Sequence, residues 1–177
     1  MKRLIVDMDD VLADATGQLI VYYEKKFGVR VARESMNYKE DREKFPDHHD
    51  EVYAFVHETD FFRTMPVNEG AQPVMKKLNA AYDVYIVSSA MEFPNSLSEK
   101  LAWLNEHFPF LHWHQFVFCG RKSIVHGDVM IDDLPHNLET FSGERLLFSA
   151  PHNLQFNQFR RLKSWADAGA YLLDQKD

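Results

Sequence analysis

The chain opens Arg3-Leu4-Ile5-Val6-Asp7-Met8-Asp9-Asp10-Val11-Leu12-Ala13-Asp14, an apolar run rich in branched residues that stops abruptly in carboxylates. Such a run predicts a strand buried on both faces of a parallel sheet, and the acids mark where it leaves the sheet's C-terminal edge. Leu12, Leu19, Tyr23 and Phe27 then recur at helical spacing, and Gly28 is placed to supply the left-handed residue that stops a helix. A strand feeding straight into a helix is the first half of a crossover unit.

Beyond Gly28 the texture changes. Charges crowd Arg42 to Glu51, Pro46 interrupts, and Val52, Phe55, Val56 and Thr59 mark a short amphipathic helix. Residues 29–66 are therefore expected to form a small helical insertion in a core domain made of residues 1–28 and 67–177. Regularity returns at Gly70, where Ala71, Val74, Met75, Leu78 and Tyr82 form one helical stripe ahead of a strand from Asp83 to Ser88. Ser96-Leu97-Ser98-Glu99 has capping-box spacing, with Leu97, Leu101, Leu104 and Phe108 as the expected buried face of the next helix. Further strands are predicted over Gln115 to Cys119, Asp128 to Ile131 and Arg145 to Phe148, and a helical tail near Ser164 to Leu173. This alternation implies the α/β class: a Rossmann-like, mainly parallel sheet with helices on both faces and right-handed crossovers.

Composition narrows the function. At 177 residues with 45% hydrophobic content the chain can bury one sizeable core and a small appendage. Twenty Lys+Arg against 27 Asp+Glu leave a net charge of −7, which argues against a nucleic-acid polymer as partner, because that affinity comes from clustered cations. Arg160-Arg161-Leu162-Lys163, the densest cationic stretch, reads as a solvated helix face. No apolar stretch approaches the ~20 residues that span a bilayer, so no membrane is expected. Lys2 and Arg3 before Leu4-Ile5-Val6 imitate a secretory signal, but Asp7, Asp9 and Asp10 end the apolar run too early, and the segment is read as part of the mature protein. The single cysteine, Cys119, excludes an internal disulfide and fits a reducing, cytoplasmic setting; within a predicted strand it reads as an inert buried thiol. A homodimer is left open.

In parallel sheets the ligand crevice lies beyond the carboxyl ends of the strands. The polar endings are Asp7 and Asp9, then Ser88 and Ser89, then Arg121 and Lys122, then Asp132 and Asp133. Asp7-Met8-Asp9 sends two carboxylates toward one centre while Met8 points away. Four converging carboxylates repel one another unless a cation is present, and oxygen ligands without Cys or His favour Mg²⁺ over Zn²⁺. Lys122 and the Ser88 hydroxyl suit phosphate oxygens, so phosphoryl transfer follows as the reaction class. One carboxylate can attack phosphorus and a second can move the leaving-group proton. Each ending alone reads as a solvated turn, a helix cap or a surface lysine; the ordered conjunction carries the argument. His107, His112 and His114, and His48-His49-Asp50, match no common zinc spacing, and the aromatic-rich stretch His107 to Trp113 reads as interface or core edge.

The order Asp-x-Asp, Ser, Lys, paired acids resembles the haloacid dehalogenase (HAD) superfamily. The opening motif, Phe61-Phe62 ahead of Gly70-Ala71, Ile131-Asp132-Asp133, Leu147-Phe148-Ser149-Ala150-Pro151-His152-Asn153 and Ser164-Trp165-Ala166-Asp167 are together similar to the 5′(3′)-deoxyribonucleotidases. The resemblance implies a nucleophile at Asp7 and a general acid/base at Asp9, whose backbone carbonyl also binds Mg²⁺. Asp133 is implied to bind the metal directly and Asp132 through water. Ser88 and the Ser89 backbone would bind phosphate, Lys122 would balance charge, and the insertion would be a small cap over the crevice. The implied substrate is a nucleoside monophosphate, with Phe61 and Phe62 as stacking candidates and Tyr38 and Phe45 as weaker ones. His152, in a family-like block, is expected to line the pocket or support it. Three departures stand out: Asp10 where the family often has Gly, Ala15 where it commonly has an aromatic, and Ser88 for the more usual Thr.

Other functions remain in view. A phosphatase of another small phosphomonoester fits the same endings. A receiver-like phosphoacceptor is shorter, accepts phosphate on a central strand and lacks a cap-sized insertion. An idle nucleotide-binding module would not need the proton donor that Asp9 offers.

Overall fold

The computed structural model describes residues 1–37, 44–45 and 47–174. Arg42, Pro46 and Tyr38 lie outside the described residues. The strands are β1 (Arg3–Val6), β2 (Asp83–Ser88), β3 (Phe116–Phe118), β4 (Val129–Asp132), β5 (Glu144–Phe148) and β6 (Arg160–Leu162). They form one parallel sheet in the order β3-β2-β1-β4-β5-β6, with β1 between β2 and β4. The helices are α1 (Ala15–Phe27), α2 (His49–Phe55), α3 (Ala71–Ala81), α4 (Ser96–His107), α5 (Pro135–Glu139) and α6 (Trp165–Asp174). None of them is long and apolar enough to cross a membrane.

Side chains alternate across β1 as a pleated strand requires. Leu4 and Val6 enter the large core beneath α3, α4 and α6, while Ile5 joins Met130, Leu147, Leu138 and Phe141 on the opposite face. The faces are unequal, since the second is covered by the short α5 and by loops.

Local chemistry explains the boundaries. Asp14 caps α1 by accepting the Gly17 amide at 2.9 Å, and a Cβ on Gly17 would collide with that carboxylate. Gly28 ends α1 at φ 68°, its N–H donating to the Glu24 carbonyl. Leu12, expected on the helical stripe, instead lies in the tight turn before it, where its amide donates to the Met8 carbonyl.

Three further expectations need correction. Arg160-Arg161-Leu162 is the edge strand β6, not a helix face. Leu162 is buried, Arg160 lies over the Tyr171 ring at 4.4 Å, and Arg161 donates to the Asn153 side chain and to the Asn153 and Phe156 carbonyls. Charges on an edge strand also discourage pairing with another sheet. In α4 the buried face is Ser96, Lys100, Trp103 and Leu104, while Leu101 is 40% exposed. Asn95 stands at the cap without a side-chain capping bond, its Nδ2 donating to the Val56 carbonyl at 2.9 Å, and the Ser96 hydroxyl donates to the Ala90 carbonyl, so the capping box does not form.

Long-range hydrogen bonds lock the turn after β1. The Trp165 indole and the Asn68 amide both donate to the Val11 carbonyl, each at 2.9 Å, and the Trp103 indole donates to the Met65 carbonyl at 2.8 Å. The Asp14 amide donates to the Pro66 carbonyl at 2.8 Å, which ties the residue before α1 to the far end of the 29–66 segment. Asn153, fully buried, donates to the Asp133 and Phe148 carbonyls, both at 2.7 Å. Asn153→Ala strands these acceptors, and urea denaturation is expected to show a loss of about 3 kcal/mol; an unchanged midpoint would mean that the bonds hold nothing together.

Candidate active site

The strand order reverses between β1 and β4, which makes their carboxyl ends the topological switch point and the natural position of a ligand crevice. The Asp7 amide donates to the Ile131 carbonyl at 2.9 Å, which sets Asp7 beside Asp132. Met8 is buried in the core while Asp7 and Asp9 border a crevice of about 440 Å³, together with Asp10, Ser89, Lys100, Lys122, Asp133 and His152.

Lys122 is brought to this centre by the turn after β3. It is buried and donates to Asp7 Oδ1 and, at 2.6 Å, to Asp132 Oδ2. Burial disfavours its charge, but the carboxylates of Asp132 and Asp7 outweigh that and hold the ammonium protonated above the ordinary lysine range. Asp132 is engaged on both oxygens. It also accepts from the Leu134 amide at 2.9 Å and from Asn137 Nδ2 at 3.0 and 3.2 Å.

The carboxylates outnumber this lysine. Burial pushes Asp7 well above the usual carboxylate range; Lys122 pulls it back, and Asp132, Asp133 and Asp9 push it up again. Asp133 rises for the same first reason, with Asp132 and Asp10 adding to it. Asp7, Asp132 and Asp133 each offer an oxygen within 4.8 Å of the others, a buried, negatively charged, all-oxygen set that fits a hard divalent cation. His152 borders the crevice with Nε2 2.8 Å from Asp133 Oδ2 and Nδ1 4.0 Å from Asp10, and burial lowers its pKa.

Asp10 explains its own departure from glycine. Its φ is 53°, the left-handed region that Gly occupies freely and Asp tolerates. Its carboxylate accepts from the Thr16 amide at 2.8 Å and the Thr16 hydroxyl at 2.6 Å, so its charge is directed into the first turn of α1.

A second buried lysine serves the other half of the crevice. Lys100, on α4, is 2% exposed and donates to Asp9 Oδ2 at 2.5 Å and to the Ser88 hydroxyl at 3.0 Å. The remaining Asp9 oxygen, Oδ1, is buried with no hydrogen-bond partner. Ser89 borders the crevice directly.

Phe61 and Phe62 are buried and line an apolar pocket of about 230 Å³ with Ala15, Leu19, Val56 and Phe93, to which Asp9 and Asp10 also contribute. Ala15 thus forms part of the wall where a larger ring is missing. Phe93 borders both cavities and links them. Phe45 packs against Tyr23, ring centres 4.7 Å apart, as a core contact. Glu99 holds the Phe pair in place, its carboxylate accepting from the amides of Asp60, Phe62 and Arg63 at 2.8, 3.0 and 3.2 Å.

Sequence reading missed Lys100, Glu99 and Asn137. Lys100 carried one signal, a charge on the stripe Ser96, Trp103, Leu104 that turns out to be buried. Glu99 stands at the capping-box position after Ser96, and Asn137 carries no signal. The histidines of 48–49 and of 107–114 join neither metal-capable group among the described residues. His112 and His114 flank the exposed Trp113, and His107 packs on Trp103. Cys119 lies just past β3, buried, its thiol pKa raised by desolvation.

Solved structures with this architecture include a HAD family hydrolase from Deinococcus radiodurans R1 with bound phosphate and sodium, at TM-score 0.63 and 16% identity, covering 98% of this chain and 96% of that one. A haloacid dehalogenase-like hydrolase from Streptococcus pneumoniae matches at TM-score 0.61 and 11% identity over 97% and 98% of the two chains. The fold is HAD-like. The family model for 5′ nucleotidase, deoxy (pyrimidine), cytosolic type C protein matches residues 1–177. The 5′(3′)-deoxyribonucleotidases of Bacillus subtilis (strain 168) and Bacillus phage SPbeta are each 41% identical over 177 residues, covering 98% of this chain and 100% of theirs. The chain belongs to this deoxy-type 5′ nucleotidase family.

The Glu99 clamp makes a separate prediction. Glu99→Ala strips acceptors from three amides and is expected to cost about 2 kcal/mol, scaled down from fully buried charged bonds because the site is partly exposed. Hydrogen exchange at residues 60–63 should accelerate in the variant; unchanged exchange there would show that the clamp is idle.

Proposed function

We propose that the chain is a phosphoric monoester hydrolase that cleaves deoxyribonucleoside 5′- or 3′-monophosphates through an aspartyl-phosphate on Asp7, with Mg²⁺ as its cofactor. The observation that carries this reading is the convergence of Asp7, Lys122, Asp132 and Asp133 at the switch point. Membership of the nucleotidase family supports the substrate class.

Asp7 and Asp133, with the Asp9 backbone carbonyl, would hold Mg²⁺ directly, and Asp132 through water, while Asp132 also anchors Lys122. Bound there, the ion would neutralise the carboxylates and polarise the phosphoryl oxygens. The Ser88 hydroxyl, the Ser89 amide and Lys122 bind the phosphate. One Asp7 oxygen attacks phosphorus as the ester P–O bond breaks. Its electron pair leaves on the nucleoside oxygen, which takes a proton from Asp9. Asp9 then accepts a proton from water; the resulting hydroxide attacks phosphorus, the Asp7–phosphorus bond breaks and its pair returns to Asp7.

The insertion over residues 29–66 serves as a cap that selects substrate and excludes water. Its support is the ring cluster that joins it to α1, where Tyr22 meets Phe55 and Phe61, and Tyr23 meets Phe45 and His48. The apolar pocket beside Asp9 takes the base, with Phe61 and Phe62 in its wall. A cytoplasmic location accords with the unpaired Cys119.

A phosphate-release screen over deoxy- and ribonucleoside monophosphates, with and without Mg²⁺, tests this reading. Release from deoxynucleotides is expected only with the ion, and activity confined to sugar phosphates would overturn the substrate. Asp7→Asn should abolish turnover with the fold retained by circular dichroism; surviving hydrolysis would remove Asp7 from the chemistry. Phe62→Ala is expected to reduce nucleotide use more than hydrolysis of a small aryl phosphate, and equal losses would leave the ring a packing role only.

A further inference from the structure

We infer that Lys100 is a positioning residue for proton transfer, fixing which oxygen of Asp9 carries the proton and tying that carboxyl to the phosphate-binding Ser88. The inference rests on Asp9 being the general acid/base. An ammonium has three donors and no acceptor. The oxygen it holds, Asp9 Oδ2, must therefore accept, and the transferable proton belongs on Oδ1. That oxygen is the buried, unpartnered one.

The placement of Lys100 suits this task. It is 2% exposed, and its Nζ lies 4.7 Å from the centre of the Phe62 ring, so the ammonium is confined between the acid, the hydroxyl and an aromatic face. A donor to Ser88 leaves that hydroxyl's own hydrogen free to point toward a phosphate oxygen. The neighbouring residue on α4, Glu99, clamps the backbone around Phe62, so one helical turn sets the acid, the hydroxyl and the pocket wall together. Lys122 has a different duty, since its partners are Asp7 and Asp132.

Positioning of a proton donor has a signature that general packing lacks: dependence on the leaving group. A nucleoside alkoxide needs its proton, whereas 4-nitrophenolate departs without one. The experiment measures kcat/KM with Mg²⁺, which reports transfer to Asp7 and departure of the leaving group and not the hydrolysis step both esters share, for Lys100→Met and Lys100→Gln on deoxythymidine 5′-monophosphate and on 4-nitrophenyl phosphate, with Asp9→Asn as reference. Lys100→Met is expected to lose on the order of 10²-fold on the nucleotide and much less on the aryl ester. Lys100→Gln, whose amide can still donate to Oδ2, should recover part of the nucleotide rate and also serves if the Met variant does not fold. Equal losses on both substrates in a folded Lys100 variant, or an unaffected nucleotide rate, would overturn the inference while Asp9→Asn still discriminates. If Asp9→Asn itself loses both activities equally, the acid/base reading fails and Lys100 loses its proposed role with it.

Discussion

A protonated lysine buried among carboxylates is the constraint around which this molecule is arranged. Lys122 cannot stay charged away from water unless Asp7 and Asp132 stay with it, and removing one member of such a buried group typically costs several kcal/mol. Asp132 in turn is held by Asn137 and the Leu134 amide, which joins the start of α5 to the end of β4. Three buried carboxyl groups against that one lysine leave the centre short of positive charge, and the shortage makes it receptive to a hard cation and a phosphoryl group.

The second buried lysine gives the crevice two functional halves. On the Lys122 side sit Asp7 and the metal-capable acids; on the Lys100 side sit Asp9, Ser88 and the aromatic pocket. Helix α4 serves the latter half from outside the sheet. Its Glu99 and Lys100 reach the backbone around Phe62 and the Asp9 carboxylate respectively, so a shift of that helix would move the aromatic wall and that carboxylate at once. Asn153 plays the corresponding part for Asp133, securing the loop after β5 to the backbone of the metal-capable acid.

Much of this was legible because parallel strands announce their ends. An apolar run of branched residues is unambiguous in a sheet covered on both faces, and the polar residue that follows it must lie at the rim. Asp7, Ser88, Lys122 and Asp132 could be assigned to the rim on that basis, without their order around it. Where reading went wrong, residue class misled it. Leu101 is apolar yet exposed because the surrounding elements meet α4 one residue earlier, on Ser96 and Lys100. Arg160 and Arg161 looked like a solvated helix, but an edge strand needs only one inward apolar side chain, and Leu162 supplies it.

The amino-acid order alone determined the α/β alternation, the sequence of strand endings and hence the chemistry gathered at the rim, because these follow from local periodicity and from where the apolar runs stop. Tertiary structure alone decided that β1 and β4 are neighbours, that Lys100 crosses from α4 to Asp9, that Glu99 caps a distant turn instead of its own helix, and that Asp10 turns toward Thr16. Each of these depends on which surfaces meet, between residues 6 to 125 positions apart in the chain. A buried charge takes its partner from whatever the packing brings within reach, and no local pattern records that choice.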